Sequence, residues 1–286
     1  MKAGAKWRAA ASIAADQQRI RDMAQTAKDA ENPDYDEHAI AFLELLWGKG
    51  HLSPGGTDEV DRIVADIDFA GLRVLDIGCG SGGNALHLAR TRSLKHITGF
   101  DVEGPVIEVA TRRATEEGLA DRASFVRADP GPLPFDDGAF DLVFSKDSLL
   151  HVPDKDALAA EIHRVLAPGG QVAVGDWMIG HDAPMSAEMA AYVAAEDLGF
   201  AMGSPGRYRA AMEGAGFTEV RVVSRNPWYL ERARAELREL KDTRYAEFCA
   251  ACGKDYIDYQ INTWTLMIRV LETGEHCPSH LFARKP

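Results

Sequence analysis

The sequence predicts an α/β protein built on a doubly wound, mostly parallel sheet of seven strands, with helical lid insertions. Two observations carry this reading. Between residues 73 and 177, apolar strand-like runs alternate with segments long enough for crossover helices, the pattern of a parallel sheet covered on both faces. The first such run, Arg73-Val-Leu-Asp-Ile77, ends in Gly78-Cys-Gly-Ser-Gly-Gly83 and opens onto a helix from Asn84 to Arg90. Glycines let backbone N–H groups approach a ligand, and the following helix N-terminus favours negative charge.

Taken in order, residues 1–32 are Ala-rich and charged with no strong apolar stripe, and read as a mobile amphipathic helix ending near Asn32-Pro33. Ile40, Leu43, Leu46 and Trp47 recur at helical spacing until Gly48, and Ser53-Pro-Gly-Gly56 makes a turn. Thr57 is the expected cap of a helix to about Asp66. Strands are expected at 73–78, 96–102, 123–128, 140–146 and 171–177, with the clearest crossover helices at Val106–Glu117 and Asp156–Val165. The regularity then breaks. Residues 178–216 read as a helical insertion over the sheet's rim, Val220–Ser224 as a sixth strand, Leu230–Leu271 as largely helical, and His280–Ala283 as the closing strand.

Composition narrows the partners. A net charge of −12 over 286 residues argues against nucleic acid or an anionic membrane surface, both of which need basic patches. The N-terminus has no apolar signal core, and no segment holds the ~18 consecutive apolar residues of a membrane span, so a cytoplasmic protein is expected. Four cysteines give no disulfide framework. Cys249-Ala-Ala-Cys252 has no second matched pair and reads as helix packing, so no metal is expected.

Five acids fall at or just past strand ends: Asp76, Asp101, Asp129, Asp147 and Asp176. Ligands of such sheets sit beyond these carboxyl ends. Asp76 puts a carboxylate at the mouth of the glycine turn, where a pyrophosphate would be repelled and the ammonium of S-adenosylmethionine held.

Asp76 to Gly83, Gly99-Phe-Asp101, Ala128-Asp129, Pro134-Phe-Asp-Asp-Gly-Ala-Phe-Asp-Leu-Val143 and Leu166-Ala-Pro-Gly-Gly170 occur in the order and spacing of class I S-adenosylmethionine methyltransferases, which the chain resembles over about residues 70–177. The resemblance implies a Rossmann-like sheet and S-adenosylmethionine as cofactor. Gly78 and Gly80 would bed its methionine part, Asp101 would accept from its ribose hydroxyls, and Asp129 would face its adenine amine. Ser53, Val102, Pro130 and Lys146 join the implied cofactor contacts.

A narrower likeness runs from about Tyr35 to the C-terminus. Ser145-Lys-Asp-Ser-Leu-Leu-His151, Pro168-Gly-Gly170 and Gly175-Asp-Trp177 resemble both the phosphoethanolamine N-methyltransferases and the sarcosine/dimethylglycine N-methyltransferases. Tyr35, His51-Leu-Ser-Pro-Gly-Gly56 and Leu281-Phe-Ala-Arg-Lys285 look like the former, and Met202-Gly-Ser-Pro-Gly-Arg-Tyr-Arg209 like the latter. The resemblance implies a Tyr35–His151 pair. A protonated alkylamine has no lone pair, with a pKa of roughly 10, and a histidine can relay its proton near neutrality. Where the phosphoethanolamine family grips phosphate with tyrosines, an arginine and a lysine, the matching positions here are Trp177, Tyr192, Glu196, Leu198 and Met267. Losing both cations disfavours a phosphate, whereas Trp177 and Tyr192 offer an aromatic face and Glu196 an acid for an amine.

The sequence therefore points to an N-methyltransferase of a small amine. A glycine-derived amino acid of the sarcosine/dimethylglycine type is the expected substrate, with Asp147 on its ammonium and Arg207 and Arg209 on its carboxylate. Phosphoethanolamine, a thioether such as methionine, and a non-catalytic S-adenosylmethionine-binding protein stand as alternatives. The expected divisions are a helical lid over 1–56, the cofactor-binding core over 57–177, a lid insertion over 178–216, and the end of the sheet with a helical insertion over 217–286. The oligomeric state is not legible.

Overall fold

The computed structural model describes residues 37–286. The helix expected over 1–32 and Tyr35 lie outside the described residues. Seven strands form one sheet: β1 (Arg73–Ile77), β2 (His96–Asp101), β3 (Ala123–Arg127), β4 (Phe140–Lys146), β5 (Leu166–Asp176), β6 (Thr218–Ser224) and β7 (Ser279–Arg284). Their spatial order is β3-β2-β1-β4-β5-β7-β6. Only β7 runs against the others, antiparallel to both β5 and β6. The doubly wound, mostly parallel sheet expected from the sequence is what the chain forms, closing strand included.

Strand periodicity sorts side chains to two faces. Leu75, Val143, Val172, Val174 and Leu281 pack on one side against α5 (Lys155–Val165) and α7 (Pro205–Gly214). Val74, Leu142, Phe144 and Ala173 face the other side, against α2 (Gly56–Ile63), α3 (Gly83–Thr91) and the end of α4 (Gly104–Glu116). Strand order reverses between β1 and β4, so a crevice opens beyond their carboxyl ends.

A third cluster forms a cap. It joins Phe42 and Leu46 of α1 (Glu37–Trp47), Met189 and Tyr192 of α6 (Ala187–Glu196), Tyr229 of α8 (Asn226–Arg238), Phe248 of α9 (Tyr245–Cys252), and Trp264 and Met267 of α10 (Lys254–Thr273). Glu236 of α8 ties it together: Trp47 Nε1 of α1 donates to it at 2.9 Å and Trp264 Nε1 of α10 at 3.1 Å. Cys252 is buried in the same cluster, with Cys249 packed against it. Among the described residues no helix is long and apolar enough to cross a membrane.

Two details differ from the sequence reading. Residues 178–216 are not one insertion. α6 joins the cap, but α7 lies on the sheet, with Tyr208, Ala211 and Met212 in the strand-facing core. It is the crossover from β5 to β6, and it carries the same inward spacing as any core helix. Thr57 does not cap α2, which starts at Gly56 with the left-handed Gly55 (φ 91°) before it. A side chain at Gly55 would strike Trp228 at 2.5 Å, so a glycine makes the entry there.

Candidate active site

The glycine turn after β1 builds the floor of the crevice. Gly78 N and Cys79 N donate to the Phe100 carbonyl of β2 at 2.8 and 3.1 Å, which folds the turn back over the sheet end. Gly78 has φ 69°, and a Cβ there would sit 1.7 Å from Ser148 Oγ. No other residue fits. Asp101 accepts from Gly80 N at 2.9 Å and from Glu103 N at 3.0 Å, one bond to each carboxylate oxygen. Burial raises its pKa and these amides oppose that rise.

Asp76 has no such support. It is fully buried, and neither carboxylate oxygen has a hydrogen-bond partner. Burial first, and then the charge of Asp101, push its pKa well above the usual carboxylate range. An unsatisfied buried acid costs roughly 1–3 kcal/mol, more if ionised. A cationic group bound at this turn removes that cost. The α-ammonium of S-adenosylmethionine is of the right charge, and the glycine cradle admits its backbone-like amino-acid part, so the residues present fit this cofactor.

The segment before α2 covers the turn. Gly83 N donates to Gly50 O at 3.0 Å, His51 Nδ1 pairs with Asn84 Oδ1 at 3.1 Å, and Leu52 lies over Gly80. Arg113 bridges from α4 to Ser81 Oγ (2.9 Å) and to Glu44 of α1 (2.8 Å), which docks the cap onto the turn. Sequence reasoning did not name Glu44, Arg113 or Ser148. Glu44 and Arg113 belong to no motif, Ser148 sits in one without being singled out, and only the fold brings the three to the glycines.

Beyond β4 the chain turns at Asp147, a non-glycine residue at φ 51°. Its carboxylate accepts from Lys146 Nζ at 2.6 Å and from the Tyr229 hydroxyl at 3.2 Å. Lys146 Nζ also donates to Ser53 Oγ at 2.7 Å. Thus Ser53, Lys146 and Asp147 meet, and Tyr229 of the cap joins them. Next comes the 3₁₀ turn Leu149–His151. Lys155 Nζ donates to the carbonyls of Leu149 and Val152, and Leu150 N donates to Asp176 Oδ1 at 3.3 Å. Asp176 also takes a short hydrogen bond from the Tyr208 hydroxyl. Burial pushes Asp176 up to about 7 and Lys155 down to about 8. His151 is half-buried, with its ring against Phe200 (5.5 Å between centroids). Burial lowers its pKa, the Leu198 carbonyl that its ring bonds raises it, and Lys155 lowers it further. The net effect is a neutral imidazole at pH 7, the form that takes up a proton.

The remaining residues divide. Trp177, Tyr192 and Glu196 come together in the cap, Trp177 and Tyr192 meeting across His276. Val102 is half-buried on the strand core, while Asp129 is exposed and paired with Arg127 at 2.7 Å, and Pro130 is exposed beside it. Arg207 and Arg209 are not brought into the site. α7 turns Tyr208 inward, leaving Arg207 to pair with Asp156 (2.7 Å) and Arg209 to donate to the Val220 carbonyl (2.6 Å). Both guanidiniums are committed on the outer side of the helix, so the carboxylate anchor expected from them is corrected.

A crevice at the β1/β4 reversal, a glycine cradle and an orphaned acid beneath it are the marks of a domain that binds a nucleoside-linked amino acid. Residues 75–174 match the family described as a methyltransferase domain, and the core of this chain is a domain of that class. Among particular relatives, phosphoethanolamine N-methyltransferase 1 of Triticum aestivum is 30% identical over 246 residues, covering 86% of this chain and 48% of the relative. The chain spans about half the length of the plant relatives it matches. Haemonchus contortus phosphoethanolamine N-methyltransferase 2, solved with phosphomonomethylethanolamine and S-adenosylhomocysteine, superposes with a TM-score of 0.82 at 26% identity, over 91% of this chain and 60% of that one. A putative sarcosine dimethylglycine methyltransferase from Galdieria sulphuraria gives 0.74 at 22% identity, over 87% and 98%. At that identity it supports the fold alone.

Proposed function

We propose that this protein transfers a methyl group from S-adenosylmethionine to the nitrogen of a small amine of the ethanolamine type. The observation that carries the reading is Asp76, a buried carboxylate with no partner under a glycine turn. The relatives, named for phosphoethanolamine, support an acceptor that carries an ethanolamine nitrogen over the glycine-derived one expected from the sequence, and the outward Arg207 and Arg209 remove that substrate's anchor.

The chain's residues divide the work. Asp76 holds the ammonium of the cofactor's methionine part, and the amides and small surface of Gly78 and Gly80 admit it closely. When bound, S-adenosylmethionine supplies a methyl already activated by its sulfonium. Asp147, fixed by Lys146 and Tyr229, orients the acceptor's ammonium. His151 takes the proton that leaves the nitrogen, and its lowered pKa keeps it unprotonated for that step. The cap, docked through Glu44 and Tyr229, excludes water from the transfer.

The test is S-adenosylhomocysteine release over ethanolamine, phosphoethanolamine, sarcosine, dimethylglycine and methionine. With an amine acceptor, His151→Ala lowers kcat by about 10²–10⁴-fold, while calorimetric S-adenosylmethionine affinity stays within about twofold of wild type. Methionine turnover that survives the substitution would overturn amine chemistry, because a thioether sulfur has no proton to lose.

A further inference from the structure

The cap holds more polar atoms than the fold uses. Trp177 Nε1, the Tyr192 hydroxyl and both ring nitrogens of His276 are buried short of full hydrogen-bond geometry. The indole faces the Tyr229 hydroxyl and the imidazole the Met178 carbonyl, neither close enough or well enough aligned to satisfy it. Tyr192 and His276 are fully buried. These side chains are contiguous: Trp177 lies 5.2 Å from His276 and Tyr192 5.4 Å from it, centroid to centroid. Phe200 stands 5.7 Å from Trp177 and also touches His151, so the cluster adjoins the proposed base. Glu196, one turn after Tyr192 on α6, is near the Tyr192 hydroxyl without reaching hydrogen-bond geometry.

The charges of this cluster are distinctive. Among the described residues, no lysine or arginine hydrogen-bonds to, pairs with or stacks on Trp177, Tyr192, Glu196, Phe200 or His276. Burial pushes Glu196 up to about 7 and His276 down to about 3. The His276 ring is therefore neutral at pH 7 and presents one N–H and one bare nitrogen. Together the residues offer three neutral donors (indole, phenol and imidazole) and acceptors on His276, Tyr192 and Glu196. A phosphate dianion asks for charge-assisted donors and would be placed beside a carboxyl group that already resists ionisation. A second ammonium would leave the indole and imidazole N–H groups unmatched. A hydroxyl both donates and accepts, and so satisfies a mixed set.

We infer that this cluster receives the end of the acceptor remote from its nitrogen, and that this end is an uncharged hydroxyl: the substrate is an amino alcohol rather than its phosphate ester. The inference rests on the N-methylation reading above and narrows it.

The test compares kcat/KM for ethanolamine, N-methylethanolamine and N,N-dimethylethanolamine with their phosphate esters and with sarcosine, alongside calorimetric binding of S-adenosylmethionine. The free amino alcohols should lead their esters by at least about tenfold. Glu196→Arg, which replaces the acid by a cation, should shift the ester-to-alcohol ratio toward the ester by about tenfold or more, mainly through KM. Wild-type preference for a phosphate ester or for sarcosine would overturn this inference and leave N-methylation standing. Protein that binds S-adenosylmethionine and methylates no amine would overturn both. The wild-type comparison decides the matter even if the arginine variant fails to fold.

Discussion

Glu59 and Asp76 are both buried to 1% exposure or less, one between α2 and β7 and the other at the end of β1, yet the protein neutralises only the first. Glu59 accepts two bonds from Arg225 at 2.9 and 2.8 Å and one from His280 at 2.7 Å. Burial alone would raise its pKa, but His280 and Arg225 hold it at about 2. Asp76, with burial as large and no partner, is driven the other way. The contrast separates two uses of a buried acid. One binds secondary-structure elements together and is complete within the chain. The other is complete only when a cation arrives from outside.

The largest effect should come from breaking the completed site. Glu59→Gln leaves Arg225 and His280 without their anion and should cost about 3–5 kcal/mol in urea unfolding. Because the folded pKa of Glu59 lies below its unfolded value, its contribution is present above about pH 4.5. It fades as the pH falls toward about 2 in wild type and is missing throughout in the variant.

The incomplete site should respond in two opposite ways. Asp76→Asn should weaken S-adenosylmethionine binding about 100-fold by calorimetry, since it removes the buried carboxylate that has no partner of its own beneath the turn. Asp76→Leu, which leaves no polar atom unpaired, should in contrast stabilise the ligand-free protein by about 1–2 kcal/mol. A loss of both stability and binding would show that Asp76 has an internal partner, and would collapse the comparison.

A smaller effect separates the cap from both acids. His276, held at about 3 by burial, binds no proton in the fold until well below the pH at which the unfolded chain takes one up. Stability should therefore drop by about 2 kcal/mol between pH 6.5 and 5 on its account. Asp176 and Glu196, raised to about 7, give slopes of the opposite sign, but they do so in wild type and variant alike. Subtracting the His276→Phe profile from that of wild type isolates the histidine.

Legibility in the sequence followed the range of the cause. β1 to β5 and their crossovers are read from local alternation, and the turn at Gly78 from glycine chemistry that only that conformation explains. The closing strand was also legible. α7 was not, because its inward residue Tyr208 lies between two arginines that draw the eye, and only packing against α5, β6 and β7 decides which face turns in. Asp147 and His151 follow β4 closely enough to be placed by sequence. Tyr229, which holds Asp147, and Arg113, which holds Ser81, arrive from other elements 82 and 32 residues away and leave no trace in the local pattern. The burial of His276 was invisible for a related reason. A histidine in a loop before a terminal strand reads as solvent-facing until the cap encloses it.

The position of β7 has a consequence for synthesis. β5 and β6 are separated in the sheet by a gap one strand wide, and the segment that fills it, Ser279–Arg284, is translated after both. While a ribosome makes the residues between Ser224 and Ser279, at roughly 5–20 residues per second, two edges with their backbone N–H and C=O groups exposed wait for several seconds. The nascent chain is most open to mispairing and to chaperone capture during that interval, and its exposure ends when β7 threads between its neighbours.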